Sequence, residues 1–408
     1  MHLGQRVAHL RRRRGISQLT LAGRMGRSES WISKVERGER RIDRVSVIEQ
    51  LATVLDVDPG ILLGWGEGSH GEEPGEVGTI RAALMRYHAI APSAAAGVPG
   101  AAATPDAPAA LPDLRREVER VWEDFQASRH RAAGSALPGL LRRADAAARA
   151  LDGDGRLEAL GLLAFAYQAT AATLLKAGAT ELAWVAADRG VSAAERSGNR
   201  LALAGCSRMV VHAVLDAGHC RRALELACEA AGALQPELDG SPGLESVYGA
   251  LLLKGAVAAA RGGDRTAARE LLTEAGGAAE RLGGDHNHCW TAFGPANVAL
   301  HAVATAVELG DGGEAVAGAL AIDPPRLPAL ERRAQRLIDL ARGYGLWSRD
   351  AEALAALLEA DSLAPEEVRR QRAARTLVGE LLRRQRRTAG GELRALAARL
   401  AATQVEDR

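Results

Sequence analysis

Lysine is nearly missing from this chain: Lys34, Lys176 and Lys254 are the only three, and 49 of the 52 basic residues are arginine. Aromatic residues are also scarce, at 3%. Few bulky rings exclude a single large centre and predict many thin helix-on-helix contacts built from the abundant Ala and Leu. The four cysteines, Cys206, Cys220, Cys228 and Cys289, lie far apart without a CxxC pair. Neither a zinc ribbon nor a disulfide framework is indicated, and a reducing cytosol fits best. No run of about 18 apolar residues is expected to span a membrane. The basic N-terminal stretch MHLGQRVAHLRRRR lacks an apolar segment after its charges, so a cytoplasmic protein is expected. GxxxxGK[ST], GxSxG and HExxH are all missing, so no catalytic residue and no cofactor are assigned and an enzyme is not expected. His286 and His288 beside Cys289 form an incomplete ligand set, and no metal site is assigned.

What is present is globular in composition. Hydrophobic residues reach 47% and charged residues 25%, and 408 residues exceed what one core usually serves. Charge is uneven along the chain. Residues 1–64 carry twelve basic and seven acidic residues, whereas the remainder carries 40 and 44. A small basic head on a mildly acidic body points to a polyanion partner at one end, although solvated basic helix faces are common.

The head reads as five short helices. Leu3, Val7 and Leu10 share one face, and Gly15 stops the first helix. Ser17 caps a second, through Leu19, Leu21, Ala22 and Met25 to Gly26; Ser28 caps a third, with Ile32 and Val35 inward and Gly38 at its end. Asp43 is placed to cap a fourth, carrying Val45, Ile48, Leu51 and Leu55, and Asp58-Pro59 begins a fifth. The short turn Met25-Gly26-Arg27 forces helices two and three across one another, as in a helix-turn-helix. Residues 65–113 read as a flexible linker with one short amphipathic helix near Val77 to Tyr87.

From 114 to 404 the chain repeats. Small residues recur at a turn and five and twelve positions later: Gly178, Ala183, Gly190; Gly218, Ala223, Ala230; Gly263, Ala268, Ala275; Ser348, Ala353, Ala360. Weaker copies are Gly134, Gly139, Ala146 and Gly310, Ala315, Ile322. This resembles the tetratricopeptide repeat (TPR) with longer units. The expected fold is all-α, a five-helix head followed by a TPR-like solenoid, closed by helical stretches Pro365 to Arg387 and Glu392 to Ala402.

Arg11, Gly15, Ser17-Gln18, Ala22, Gly26, Ser28 and Glu36-Arg37-Gly38 together resemble the Cro/XRE family of helix-turn-helix domains. The resemblance implies a sequence-specific regulator of double-stranded DNA that acts as a homodimer. It also implies that Arg11 pairs with Glu36, and that Gln18 meets the DNA backbone. Ser28, Glu29, Ser30 and Lys34, with Ser33 between them, fall on the recognition helix, and Arg37, Arg40, Arg41 and Arg44 fall where phosphates are contacted. Each has a simpler reading beside it: Ser28 is an N-cap, Glu29 is favoured by the helix dipole without DNA, and Trp31 packs on a neighbouring helix.

The stretches CWTAFGPANVALHAVATAVELGDGG and ERRAQRLIDLARGYG resemble the C-terminal part of actinobacterial XRE regulators with TPR-like bodies. In TPR arrays the first helix of each unit lines the concave face. That places Gln168, Arg208, His212 and Asn297 in a groove, with Trp290, Phe293 and His301 nearby, for a peptide, small-molecule or protein ligand. Asn and Arg there suit an extended peptide backbone, as in the peptide-sensing regulators of Gram-positive bacteria. Against this, Trp290 and Phe293 read equally as inter-repeat core and Asn297 as a helix surface residue. The second functional expectation is a protein-interaction adaptor with a degenerate DNA-binding head.

Overall fold

The computed structural model describes residues 3–13, 16–38, 45–55, 75–86, 110–384 and 390–406, and divides the chain into two compact units, 1–73 and 74–407. Helices account for nearly all of it, and no strand occurs among the described residues.

The first unit contains α1 (Leu3–Arg13), α2 (Gln18–Met25), α3 (Glu29–Glu36) and α4 (Val45–Val54). Their apolar stripes meet in a core of Val7, Leu10, Leu21, Met25, Ile32, Leu51 and Leu55. Complete burial of each large aliphatic side chain contributes roughly 1.5–3 kcal/mol, which matters in so small a unit. Gly4 lets the α1 backbone reach α3, because a Cβ there would lie 1.9 Å from the Val35 carbonyl oxygen. Ser17 and Ser28 cap as expected, accepting from the Thr20 and Trp31 amides at 3.0 and 3.2 Å. Asp43 and the Asp58-Pro59 start of the fifth helix lie outside the described residues.

The second unit begins with α5 (Glu76–Leu84), the helix expected inside the linker. It is docked on the body, burying Ile80 and Leu84. Six helix pairs follow: α6 (Leu111–Gln126) with α7 (His130–Ala150), α8 (Gly153–Lys176) with α9 (Thr180–Ser197), α10 (Arg200–Asp216) with α11 (Cys220–Leu234), α12 (Pro242–Arg261) with α13 (Arg265–Leu282), α14 (Pro295–Glu308) with α15 (Gly312–Ala321), and α16 (Leu330–Leu346) with α17 (Asp350–Leu363).

Every pair turns through one left-handed residue: Ser128, Gly178, Gly218, Gly263, Gly310 or Ser348. In each case the next N–H returns to the carbonyl five residues back, as in Ala179 to Leu174 and Arg349 to Tyr344, both 2.9 Å. The register expected for the first pair is therefore wrong by six residues. Its turn is Ser128, and α7 runs unbroken through Gly134, Gly139 and Ala146. Leu140 stands twelve positions after this turn where the clear copies have a small residue, which hides it from a search for the pattern. Five positions after the turns stand Ala133, Ala183, Ala223, Ala268, Ala315 and Ala353, all buried where paired helices touch.

α18 (Pro365–Arg370), α19 (Arg372–Arg384) and α20 (Gly391–Glu406) end the array. The first expected closing stretch is thus two helices, broken where Gln371 turns extended at ψ 111°. α8 and α12 are, against expectation, long and apolar enough to cross a membrane. However, 78% and 89% of their apolar windows are buried inside the protein, where they form the core of the array.

The array curls until its ends meet. His130 at the start of α7 lies 2.7 Å from Glu367 of α18 with both side chains fully buried, and Lys176 closing α8 reaches Glu331 of α16 at 2.7 Å and also pairs with Glu367. Arg370 pairs with Glu76 of α5. The loop between α13 and α14 crosses to α6, where Trp290 stacks on Trp122 at 5.2 Å and Asn287 exchanges hydrogen bonds with Gln126.

Candidate functional site

Two regions gather the residues singled out in the sequence. In the head, Gly26 adopts a left-handed conformation at φ 61°, which ends α2 and turns the chain abruptly into α3. Ile32 and Val35 then anchor α3 in the core, so its opposite face is presented to solvent. Ser28, Glu29, Ser30, Lys34 and Arg37 are exposed, and Ser33 is half-buried and accepts from Arg37 at 3.1 Å. Trp31 is half-buried against the core with the Arg27 guanidinium over its ring at 5.6 Å, which agrees with the packing role. The free amides and partial positive charge at the N-terminus of α3 favour a phosphate, while Glu29 and Lys34 supply an acceptor and a donor for base edges. Arg40, Arg41 and Arg44 lie outside the described residues.

Arg11 donates from Nε and Nη2 to the two Glu36 oxygens at 2.6 and 3.0 Å, and its Nη1 reaches the Ile16 carbonyl at 2.9 Å. Gln18, expected to meet the DNA backbone, is half-buried. Its amide donates to Glu36 at 2.7 Å, which makes it the third member of this network. The reason is chemical: one arginine leaves a carboxylate lone pair unsatisfied, and Gln18 at the start of α2 is in reach. Burial pushes the Glu36 carboxyl up, but the hydrogen bonds from Arg11 and Gln18 outweigh it and hold the group below its ordinary value.

In the body, the first helices of successive pairs bring their polar residues inward. The groove residues were expected on the concave face lined by the first helices, and most of them are buried. Gln168 is 0% exposed, with its amide against Gly205 of α10, Asn297 is 2%, Arg208 6% and His301 7% exposed, and His212 is half-buried. Phe293 is fully buried core, and Trp290 is held between Trp122 and Phe165. The loop that carries Trp290 places Cys289, Trp290 and Ala292 at positive φ, a strain stabilised by Asn287 and Asp285 accepting from the Ala292 and Ala296 amides.

Several polar atoms here have no partner among the described residues. The amide oxygen and nitrogen of Gln168, the Asn297 Oδ1 and the Arg208 Nε are buried without a hydrogen bond. Sequence reasoning missed Lys254 and Arg332, which join Lys176, Arg208 and Arg261 in one electrostatic cluster. The rarity of lysine was the available signal, since two of only three lysines point here. Burial, followed by the charges of Arg332, Arg208, Lys176 and Arg261, pushes the Lys254 ammonium down to about 7. Burial and Arg332 push Arg208 down to about 10. His212 and His301 are held well below the usual imidazole value by burial and by the Lys254 charge, so both are neutral.

Among the described residues no group of three or more His, Cys, Asp or Glu is arranged to hold a metal ion. Comparison with curated proteins returns no match. Among solved structures, a crystal structure of Rap protein complexed with competence and sporulation factor is similar to 73% of this chain over its whole length, at 12% identity and a TM-score of 0.42. Residues 2–62 match the family model described as a helix-turn-helix domain, so this chain carries a helix-turn-helix head in front of an all-helical repeat body.

Proposed function

We propose that the protein is a cytoplasmic, sequence-specific transcription regulator that binds double-stranded DNA as a homodimer through α3, and whose repeat body responds to a ligand or partner on its inner face. The observation that carries the DNA reading is the exposed first turn of α3, delivered by Gly26 and capped by Ser28, with Glu29, Ser30 and Lys34 on the side opposite the buried Ile32 and Val35. The body works in this reading by binding, and its unpartnered inner polar groups supply the contacts. A ligand shifts the protein between states only through differential affinity for them.

The test is selection of binding sites from random duplex DNA by the full-length protein at fixed salt. An inverted repeat is expected, as two-fold symmetry requires. Lys34→Ala should relax the preference at particular positions at a cost of about 1–3 kcal/mol, whereas Arg41→Ala should weaken all sequences alike and lower the salt slope by about one. Failure to enrich any sequence would favour an adaptor with a degenerate head.

A further inference from the structure

Inside the body, the charges do not balance. Lys176 is neutralised by Glu331 and Glu367, Arg332 by Glu331, and Arg261 by Glu308. Among the described residues no acid lies within ion-pair distance of Arg208 or Lys254, and Glu331 offsets the Arg208 charge only from further away; Arg208 is nine-tenths buried and Lys254 half-buried. An enclosed cation without a partner is costly, and the usual remedies are a paired anion or loss of the proton. Burial first, and then the neighbouring cations, lower the values at which both groups release their protons.

Neutral groups on the adjoining first helices, α8 beside α10 and α14 beside α12, narrow the occupant. Gln168 offers both an unused acceptor and an unused donor, and Asn297 offers an unused acceptor. A bare phosphate carries acceptors only and would leave both amide oxygens unmet. A molecule with amide N–H groups, amide carbonyls and a carboxylate satisfies all of them. We propose that the enclosed face of the body holds an acidic peptide, with Arg208 and Lys254 on its carboxylate and Gln168 and Asn297 on its backbone amides. This rests on the reading of the body as a ligand-binding unit.

The test uses the full chain and three fluorescent mixtures of short peptides, alike except at two positions that carry Asp, Ser or Lys, with inorganic phosphate as competitor and fluorescence polarisation as readout. The Asp mixture should bind about tenfold or more tightly than the Ser mixture, and Arg208→Met or Lys254→Met should remove that preference. Each variant, with its unbalanced charge gone, should melt no lower than the wild type without peptide. Equal binding of Asp and Ser mixtures overturns the acidic assignment while sparing the ligand-binding reading, and no binding by any mixture overturns both. Displacement by phosphate at concentrations matching the peptide overturns the peptide assignment. A lower melting temperature in either variant overturns the charge argument.

Discussion

Replacing Arg11 with alanine removes the central member of the Arg11–Glu36–Gln18 network and leaves a carboxylate that is 7% exposed with one neutral donor. Breaking a buried ion pair from one side costs about 3–5 kcal/mol. The Arg11 side chain is itself 12% exposed, so the lower end applies. A loss of about 3 kcal/mol raises the unfolded fraction of the head roughly 100-fold. Hydrogen exchange on the full-length protein reads this directly: the amides of Val7 to Leu10 and Leu21 to Met25 should exchange about 100-fold faster, while those of α8 and α12 stay unchanged. Arg11→Met with Glu36→Leu should recover most of the protection, because an apolar pair of similar volume carries no desolvation cost. The Glu36 contribution is present above the ordinary carboxylate value of 4.5, where an unfolded carboxyl is ionised, and is lost as pH falls through the lower folded value. Unchanged exchange in Arg11→Ala would refute the network's role, and a double variant no better protected than Arg11→Ala would show that the cost lies elsewhere than in the stranded charge.

Three other outcomes are expected from melting experiments. Gly249→Ala places a Cβ 1.9 Å from the buried Phe293 ring, so overpacking of about 1–3 kcal/mol should outweigh the gain in helix propensity; Gly232→Ala, which meets nothing within 4 Å, should stabilise by about 1 kcal/mol or less. Glu367→Ala strands buried His130 and weakens the hold on Lys176, and should destabilise the body by about 3–5 kcal/mol, read as a lower melting temperature with DNA binding retained. Lys254→Met should stabilise the body most below about pH 7, where the wild-type ammonium is charged in both folded and unfolded chains amid Arg332, Arg208, Lys176, Arg261, Glu331 and the neutral His212 and His301. That gain is at most about 5 kcal/mol, less where water still reaches the ammonium, and should fade between about pH 7 and the ordinary 10.5. A gain that grows with pH would invert the assigned charge balance.

Local rules determined much of this protein from the sequence. Ser17, Gly26 and Ser28 specify their caps and turn through backbone chemistry confined to a few residues, and the recurring small residues specify five of the six helix pairs for the same reason. Arg11 and Glu36 were legible as partners only through resemblance to a family pattern, since 25 residues separate them. The tertiary structure alone decided what depends on distant chain segments meeting. It made Gln18 a partner of Glu36, 18 residues away. It docked α5 on the body, and it closed the array through His130–Glu367 and Arg370–Glu76, contacts 237 and 294 residues apart. It also set how deeply the inner-face residues lie, with Gln168, Arg208 and Asn297 buried and Lys254 half-buried, because curvature sums small rotations over every helix pair and no single repeat records the total.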